Sequence, residues 1–131
     1  MIKFEQFNHS LCIVDTKDVP ANLTKEYRAI IEEMRSVAKY FGKEFLREVD
    51  EKEFFDHLAD VRAAVKNDRE ILRAIHFFKE NARVPQIVEA LNNDNFDLFK
   101  KLIKESGNSS YKSYRMFMQT LIISIRQFLQ V

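Results

Sequence analysis

The sequence predicts a mainly α-helical fold that begins with a short β hairpin, and therefore an α+β class. From residue 23 onward the apolar residues recur three and four positions apart, which is the spacing of amphipathic helices. Residues 1–16 instead hold two short apolar segments, 2–7 and 11–14, separated by Asn-His-Ser, a pattern typical of paired strands. With 46% hydrophobic and 31% charged residues, the 131 residues are expected to form a single domain with its own core.

The first two predicted helices have recognisable ends. Apolar residues at helical spacing span residues 23–41, and Gly42 follows where a left-handed carboxy-terminal cap is expected. Asp50 and, three residues later, Glu53 form a variant of the capping box that opens helices. A second helix is therefore predicted to run from there to the Asn-Asp pair at residues 67–68.

Three further helices are predicted in the second half of the chain. The third begins after Asp68 and meets Pro85, which is expected to kink it because proline removes a backbone donor. The fourth opens at the polar cluster 92–95 and closes at Gly107, and a fifth follows from Ser110. Apolar residues of the third and fourth helices are expected to face inward: Leu72, Ile75, Phe78, Phe96, Phe99, Leu102 and Ile103.

Charge and composition exclude several classes of function. A formal net charge of +1 provides no field that favours nucleic acid or anionic lipid, so neither partner is expected. The two glycines, Gly42 and Gly107, lie far apart, whereas a phosphate-binding loop needs them clustered. One cysteine, no secretory leader pattern and no apolar run of about 20 residues predict a cytoplasmic protein outside the membrane.

Residues with catalytic or metal-binding chemistry are scattered along the sequence. His9, Cys12 and Asp15 lie close together, but on a strand Cys12 would point away from the other two, so a buried apolar cysteine is the preferred interpretation. His76 is surrounded by apolar residues and is expected to be a core or boundary histidine, and His57 is expected to face solvent. No metal site is predicted.

Three ordered stretches resemble one family of enzymes. They are IVDTKDVPANLTKEYRAIIEEMRSVAKYFGKEFLREVD, then LRAIHFFKENARV, then EALNNDNFDLFKKLIKESGNSSY. Each is similar to a segment of galactokinases, respectively the E-Y helix followed by G-K-x-x-L-R-E-V, the R-A-x-H-x-x-x-E-x-x-R-V segment, and the A-L-x-x-x-D run. The resemblance covers residues 10–112 and implies the helical part of the carboxy-terminal domain of a GHMP sugar kinase.

The resemblance implies a reaction but also shows what this chain lacks. Complete galactokinases transfer the γ-phosphoryl group of ATP to a sugar hydroxyl with Mg²⁺, using an amino-terminal domain that supplies the phosphate loop, the catalytic Asp and Arg, and the sugar-recognition signature. None of these motifs is in this sequence, so the chain alone is expected to bind neither ATP nor Mg²⁺ and not to be catalytic. The family's sugar-contacting Tyr corresponds to Tyr27, which also fits the apolar stripe of its helix.

Two main hypotheses follow for the function. The first is a fragment of a galactokinase-like enzyme, and the second is a stand-alone helical module for protein interaction or oligomerisation derived from the kinase. A sugar-binding domain that works without ATP is a third possibility. Residues 113–131 form an apolar tail unlike the family, with too many apolar residues for one helical stripe. The expected partner is therefore a second copy in a homodimer, or the missing amino-terminal region of the kinase.

Overall fold

The computed structural model of the protein describes residues 4–8 and 23–114. These residues contain five α-helices and two short 3-10 turns, and no β-strand. The contacts within the chain divide it into two compact units, residues 20–80 and residues 1–19 with 81–131, which are described separately below. The helices are α1 (Leu23–Tyr40), α2 (Glu51–Asp56), α3 (Leu58–Val65), α4 (Asp68–Asn92) and α5 (Phe96–Tyr114).

The predicted amino-terminal β hairpin is wrong where the structure can test it. Phe4–Phe7 forms a 3-10 turn instead of a strand. The segment F-E-Q-F repeats its aromatic residue at a spacing of three, which is the period of a 3-10 helix, whereas a strand alternates with a period of two. Residues 9–16, with the predicted second strand, lie outside the described residues, so the described chain is all-α.

Residues 20–80 fold around one apolar core. It is built from the carboxy-terminal half of α1, the 3-10 turn Leu46–Glu48, the two short helices and the start of α4. Its buried residues are Val37, Ala38, Leu46, Val49, Phe54, Val61, Ile71, Ala74 and Phe78. Phe54 lies at the centre, with its ring centroid 4.8 Å from that of Phe78 and 6.4 Å from that of Phe41. Of the residues expected to face inward, Phe78 is buried, Ile75 is half-buried and Leu72 is exposed.

The predicted carboxy-terminal end of the first helix and the predicted start of the second are confirmed. Gly42 has a φ of +68°, and its amide and that of Lys43 donate to the carbonyls of Lys39 and Ala38, which is a Schellman cap. The Asp50 carboxylate accepts from the amide of Glu53 at 2.9 Å and caps α2. The predicted second helix is divided at His57 into α2 and α3.

The link between α3 and α4 is short and polar. Lys66 ends α3 in the left-handed conformation, with φ 56°, and the side chain of Asn67 accepts from the amide of Arg69 at 3.1 Å. Across this link the Arg62 guanidinium donates to both carboxylate oxygens of Asp68, at 2.6 and 2.8 Å. The predicted Asn-Asp boundary is thus where α4 begins.

The second unit contains the end of α4 and all of α5. Asn95 caps α5, because its side chain accepts from the amide of Leu98 at 3.1 Å. Leu102 is buried as expected, whereas Phe96 and Phe99 are half-buried and Ile103 is exposed. The predicted helix end at Gly107 is wrong, since α5 continues through it to Tyr114. None of the helices in the described residues has the length and hydropathy of a membrane span.

Candidate functional site

Tyr27 lies near the start of α1, on its exposed side. The residue is 57% exposed, and Ile31, one helical turn later on the same face, is 54% exposed. The family resemblance implies a sugar contact at Tyr27, and the structure places this residue on the surface of its unit.

The two ends of α1 have different surroundings. Val37 and Ala38 are fully buried in the core, and Met34 and Phe41 pack against it. On the amino-terminal side of Glu33, by contrast, every described side chain of α1 is exposed or half-buried. Tyr27 therefore lies in the amino-terminal half of α1, which contributes no described residue to the apolar core.

Glu33 is the first buried residue along the described part of α1, and two arginines of α4 bind it. Arg73 donates from Nε to Oε2 of the carboxylate, and Arg69 forms an ion pair through Nη2 with Oε1. Arg73 is 1% exposed and Glu33 is 6% exposed, whereas the side chain of Arg69 is about half exposed. Oε2 thus accepts a hydrogen bond from Arg73, whereas Oε1 faces Arg69 as an ion pair without hydrogen-bond geometry.

The R-A-x-H part of the resemblance corresponds to this buried region. Arg73, Ala74 and His76 are all buried, and Arg73 is one of the largest fully buried side chains. The expectation that His76 is a core or boundary residue is confirmed. In this chain the segment is therefore part of the buried interior of its unit. The sequence does not indicate Glu33 as the partner of Arg73, because no sequence pattern relates residues 40 positions apart.

The other residues with potential chemistry do not form a site in the part of the chain that is described. His57 is exposed, as expected, with its Nδ1 3.6 Å from a carboxylate oxygen of Asp60. His9, Cys12 and Asp15 lie outside the described residues. Among residues 4–8 and 23–114 no group of three or more histidine, cysteine or acidic side chains is placed to hold a metal ion.

An open groove of about 790 Å³ lies in the second unit, beside the start of α5. Phe7 and Phe96 stack at one side of it with ring centroids 4.9 Å apart. Its polar groups bond to one another, since Gln6 donates to Asp94 at 3.5 Å and Lys100 pairs with Asp97 at 2.8 Å. We identify no catalytic arrangement among the described side chains that line this groove.

Comparison with known proteins identifies the relatives of this sequence. It is 30% identical over 101 residues to the galactokinase of Actinobacillus pleuropneumoniae serotype 5b (strain L20), which is 77% of this chain and 26% of that enzyme. It is 34% identical over 98 residues to the galactokinase of Haemophilus influenzae (strain PittEE), which is 74% of this chain and 25% of that enzyme. The chain therefore spans about a quarter of the length of the curated relatives that it matches.

The resemblance to galactokinases noted in the sequence is thus confirmed. No protein-family model matches the chain, and no solved structure matches it significantly.

Proposed function

We propose that this chain is a segment of a galactokinase-like enzyme, in which it supplies part of the wall of the sugar site. In the complete enzyme the reaction would be ATP-dependent phosphorylation of a sugar such as galactose. The observation that carries the proposal is the similarity to galactokinases at 30–34% identity over three quarters of the chain. The proposed compartment is the cytoplasm, where a sugar kinase has access to ATP.

We propose further that the chain alone does not catalyse phosphoryl transfer. That reaction depends on positioning of the phosphates and on electrostatic stabilisation of the phosphoryl oxygens. The sequence has no clustered glycines for a phosphate loop. Purified chain with ATP, Mg²⁺ and galactose should release no more ADP than a protein-free control. Production of ADP in proportion to the chain, in a preparation free of contaminating kinases, would contradict this proposal.

Tyr27 is the residue proposed to contact the sugar. Its exposure at the start of α1 supports this role, because a partner domain or a ligand can reach it there. A phenolic hydroxyl can donate to and accept from sugar hydroxyls, and the aromatic ring can lie against the apolar face of a sugar. ATP and Mg²⁺ would be bound by the rest of the enzyme.

The decisive test is a chimera that supplies the missing parts. The 98-residue segment of the Haemophilus influenzae galactokinase that matches this chain is replaced by the corresponding residues of the chain. The chimera should phosphorylate galactose. Tyr27→Phe, which removes only the hydroxyl, should raise the KM for galactose about tenfold and leave the KM for ATP unchanged.

Tyr40→Phe is the matched control for this test. Tyr40 lies at the other end of α1 and is 43% exposed, so loss of its hydroxyl should leave both KM values unchanged. A folded chimera without activity would contradict the proposed segment function. An active chimera in which Tyr27→Phe behaves like Tyr40→Phe would contradict the role of Tyr27 alone.

The second candidate function is a stand-alone module that binds other proteins or itself. Exposed apolar residues favour it: Ile31 in one unit, and Val84 and Val88, one turn apart on α4, in the other. A homodimer is the commonest closed assembly of such chains. Light scattering during size-exclusion chromatography tests it. A dimer that becomes monomeric when residues 115–131 are deleted would support this function, and a monomer at high micromolar concentration would contradict it.

A further inference from the structure

We infer that Glu33 and Arg73 are positioning residues, which fix the orientation of α1 so that Tyr27 meets the sugar. The inference rests on the proposed function, because it assigns how the proposed sugar contact is held in place. It adds two residues that neither the family resemblance nor the sequence pattern selected for this role. Neither residue is proposed to touch the substrate.

The first step is that the described side chains in the amino-terminal half of α1 are less buried than those in its carboxy-terminal half. All described side chains from Lys25 to Glu32 are exposed or half-buried, and burial begins at Glu33. The apolar anchors Met34, Val37, Ala38 and Phe41 all follow it. Among the described side chains of α1, Glu33 is therefore the buried residue nearest to Tyr27 in sequence, six residues or about 9 Å away along the helix axis.

The second step is the geometry of the carboxylate. Oε2 accepts from Nε of Arg73, and Oε1 faces Nη2 of Arg69, so the two oxygens are held from different positions on α4. Apolar contacts are less directional than a hydrogen bond, so they define the rotation of a helix less closely. Movement of α1 would break the buried pair between Oε2 and Arg73, which is costly.

The third step relates this attachment to binding. A shift of about 1 Å in a group that contacts substrate can cost about a hundredfold in activity. Rotation of α1 moves the Tyr27 hydroxyl more than it moves the backbone, because the hydroxyl lies at the far end of a long side chain. Release of Glu33 should therefore weaken sugar binding while leaving ATP binding unaffected.

The first experiment uses the full 131-residue chain and hydrogen exchange. Arg73→Met keeps the apolar stem of the side chain and removes the guanidinium, and Lys52→Met likewise removes the charge of an exposed ion pair in α2. In Arg73→Met the amides of α1 should exchange at least tenfold faster relative to those of α3 in the same protein. In Lys52→Met, which lies in neither of the two compared helices, the ratio of α1 to α3 exchange should not change.

The second experiment uses the galactokinase chimera and separates positioning from stability. Arg73→Met should raise the KM for galactose about tenfold, with the KM for ATP unchanged. Added to Tyr27→Phe, it should cause no further rise, because both changes remove the same contact. Arg73→Lys, which keeps the charge, should recover part of the lost affinity and provides a folded variant if Arg73→Met does not fold.

The outcomes distinguish the inference from the proposed function. If Tyr27→Phe raises the KM for galactose, and Arg73→Met lowers only kcat or adds fully to Tyr27→Phe, the inference is overturned and the sugar contact stands. If α1 and α3 accelerate equally in Arg73→Met, the attachment of α1 by this pair is overturned whatever the activity. A folded but inactive wild-type chimera overturns the proposed function, and with it the role in sugar binding.

Discussion

Glu33 of α1 and Arg73 of α4 lie 40 residues apart in the sequence and form an ion pair that is buried within their unit. Two charges taken out of water lose hydration, and their mutual attraction must offset that loss. Here the carboxylate gains a second cationic partner, Arg69, whose side chain is half exposed. The arrangement joins two helices at a defined position, which apolar contacts alone do not specify.

The first prediction concerns removal of the charge of Glu33. Glu33→Gln keeps the shape of the side chain but removes the negative charge that the buried guanidinium of Arg73 binds, and should cost about 3–5 kcal/mol of unfolding free energy. Urea denaturation followed by circular dichroism measures the loss. The exposed neighbour provides the control, and Glu32→Gln should change stability by less than about 0.5 kcal/mol. Equal losses in the two variants would contradict the buried pairing.

Local sequence patterns predicted helix caps correctly where the residues that form the cap lie close together in the sequence. The cap at Gly42 and the N-cap at Asp50 involve residues within five positions of each other, and both are present. The predicted end at Gly107 failed for a physical reason. A glycine ends a helix where it takes a positive φ, as Gly42 does, whereas Gly107 does not take one and lies within α5.

Long-range relationships could not be predicted in the same way. The spacing of Leu72, Ile75 and Phe78 indicates a helix but not which flank of it meets the core, and Leu72 is exposed. The partner of Arg73 likewise cannot be derived from the sequence pattern, because it depends on how α1 and α4 pack against each other. Tyr27 was selected by resemblance to a family, and spacing alone places it among ordinary apolar positions of its helix.

The second prediction concerns the centre of the core. Phe54 is fully buried and its ring contacts those of Phe41, Phe55 and Phe78. Phe54→Ala should therefore cost about 3–5 kcal/mol, through lost burial and the cavity left behind. Phe55→Ala is the control, because Phe55 is adjacent in sequence and 37% exposed. The loss of unfolding free energy in Phe55→Ala, measured by the same urea denaturation, should be clearly smaller. A larger loss in Phe55→Ala than in Phe54→Ala would contradict the placement of α2.

The third prediction concerns the two glycines, whose replacement by alanine should change the stability of the chain in opposite directions. Gly42 has positive φ, so Gly42→Ala should destabilise the chain by about 1–2 kcal/mol although the added methyl group has free space. Gly107 lies within α5, where Gly107→Ala should stabilise by about 0.5–1 kcal/mol. Thermal unfolding of both variants measures the difference. A stabilising Gly42→Ala would mean that the Schellman cap does not form.

The last prediction concerns the pH dependence of the link between α3 and α4. Hydrogen bonds from Arg62 lower the pKa of the Asp68 carboxyl below its usual value of 3.8, since they favour the ionised form. A carboxyl whose pKa is lower in the folded protein adds stability above its unfolded pKa and loses that stability as pH falls through its folded pKa. The wild-type chain should therefore be more stable than Asp68→Asn at pH 7, and the difference should shrink below about pH 4.

Urea denaturation of both proteins at a series of pH values measures this difference directly, because all other titrating groups are common to both and cancel. Since both side chains are more than half exposed, the difference should be small and should fall further in about 1 M salt, which screens exposed charges. A difference that stays constant from pH 7 to pH 2, or that grows as the pH falls, would contradict the role of the Arg62–Asp68 pair.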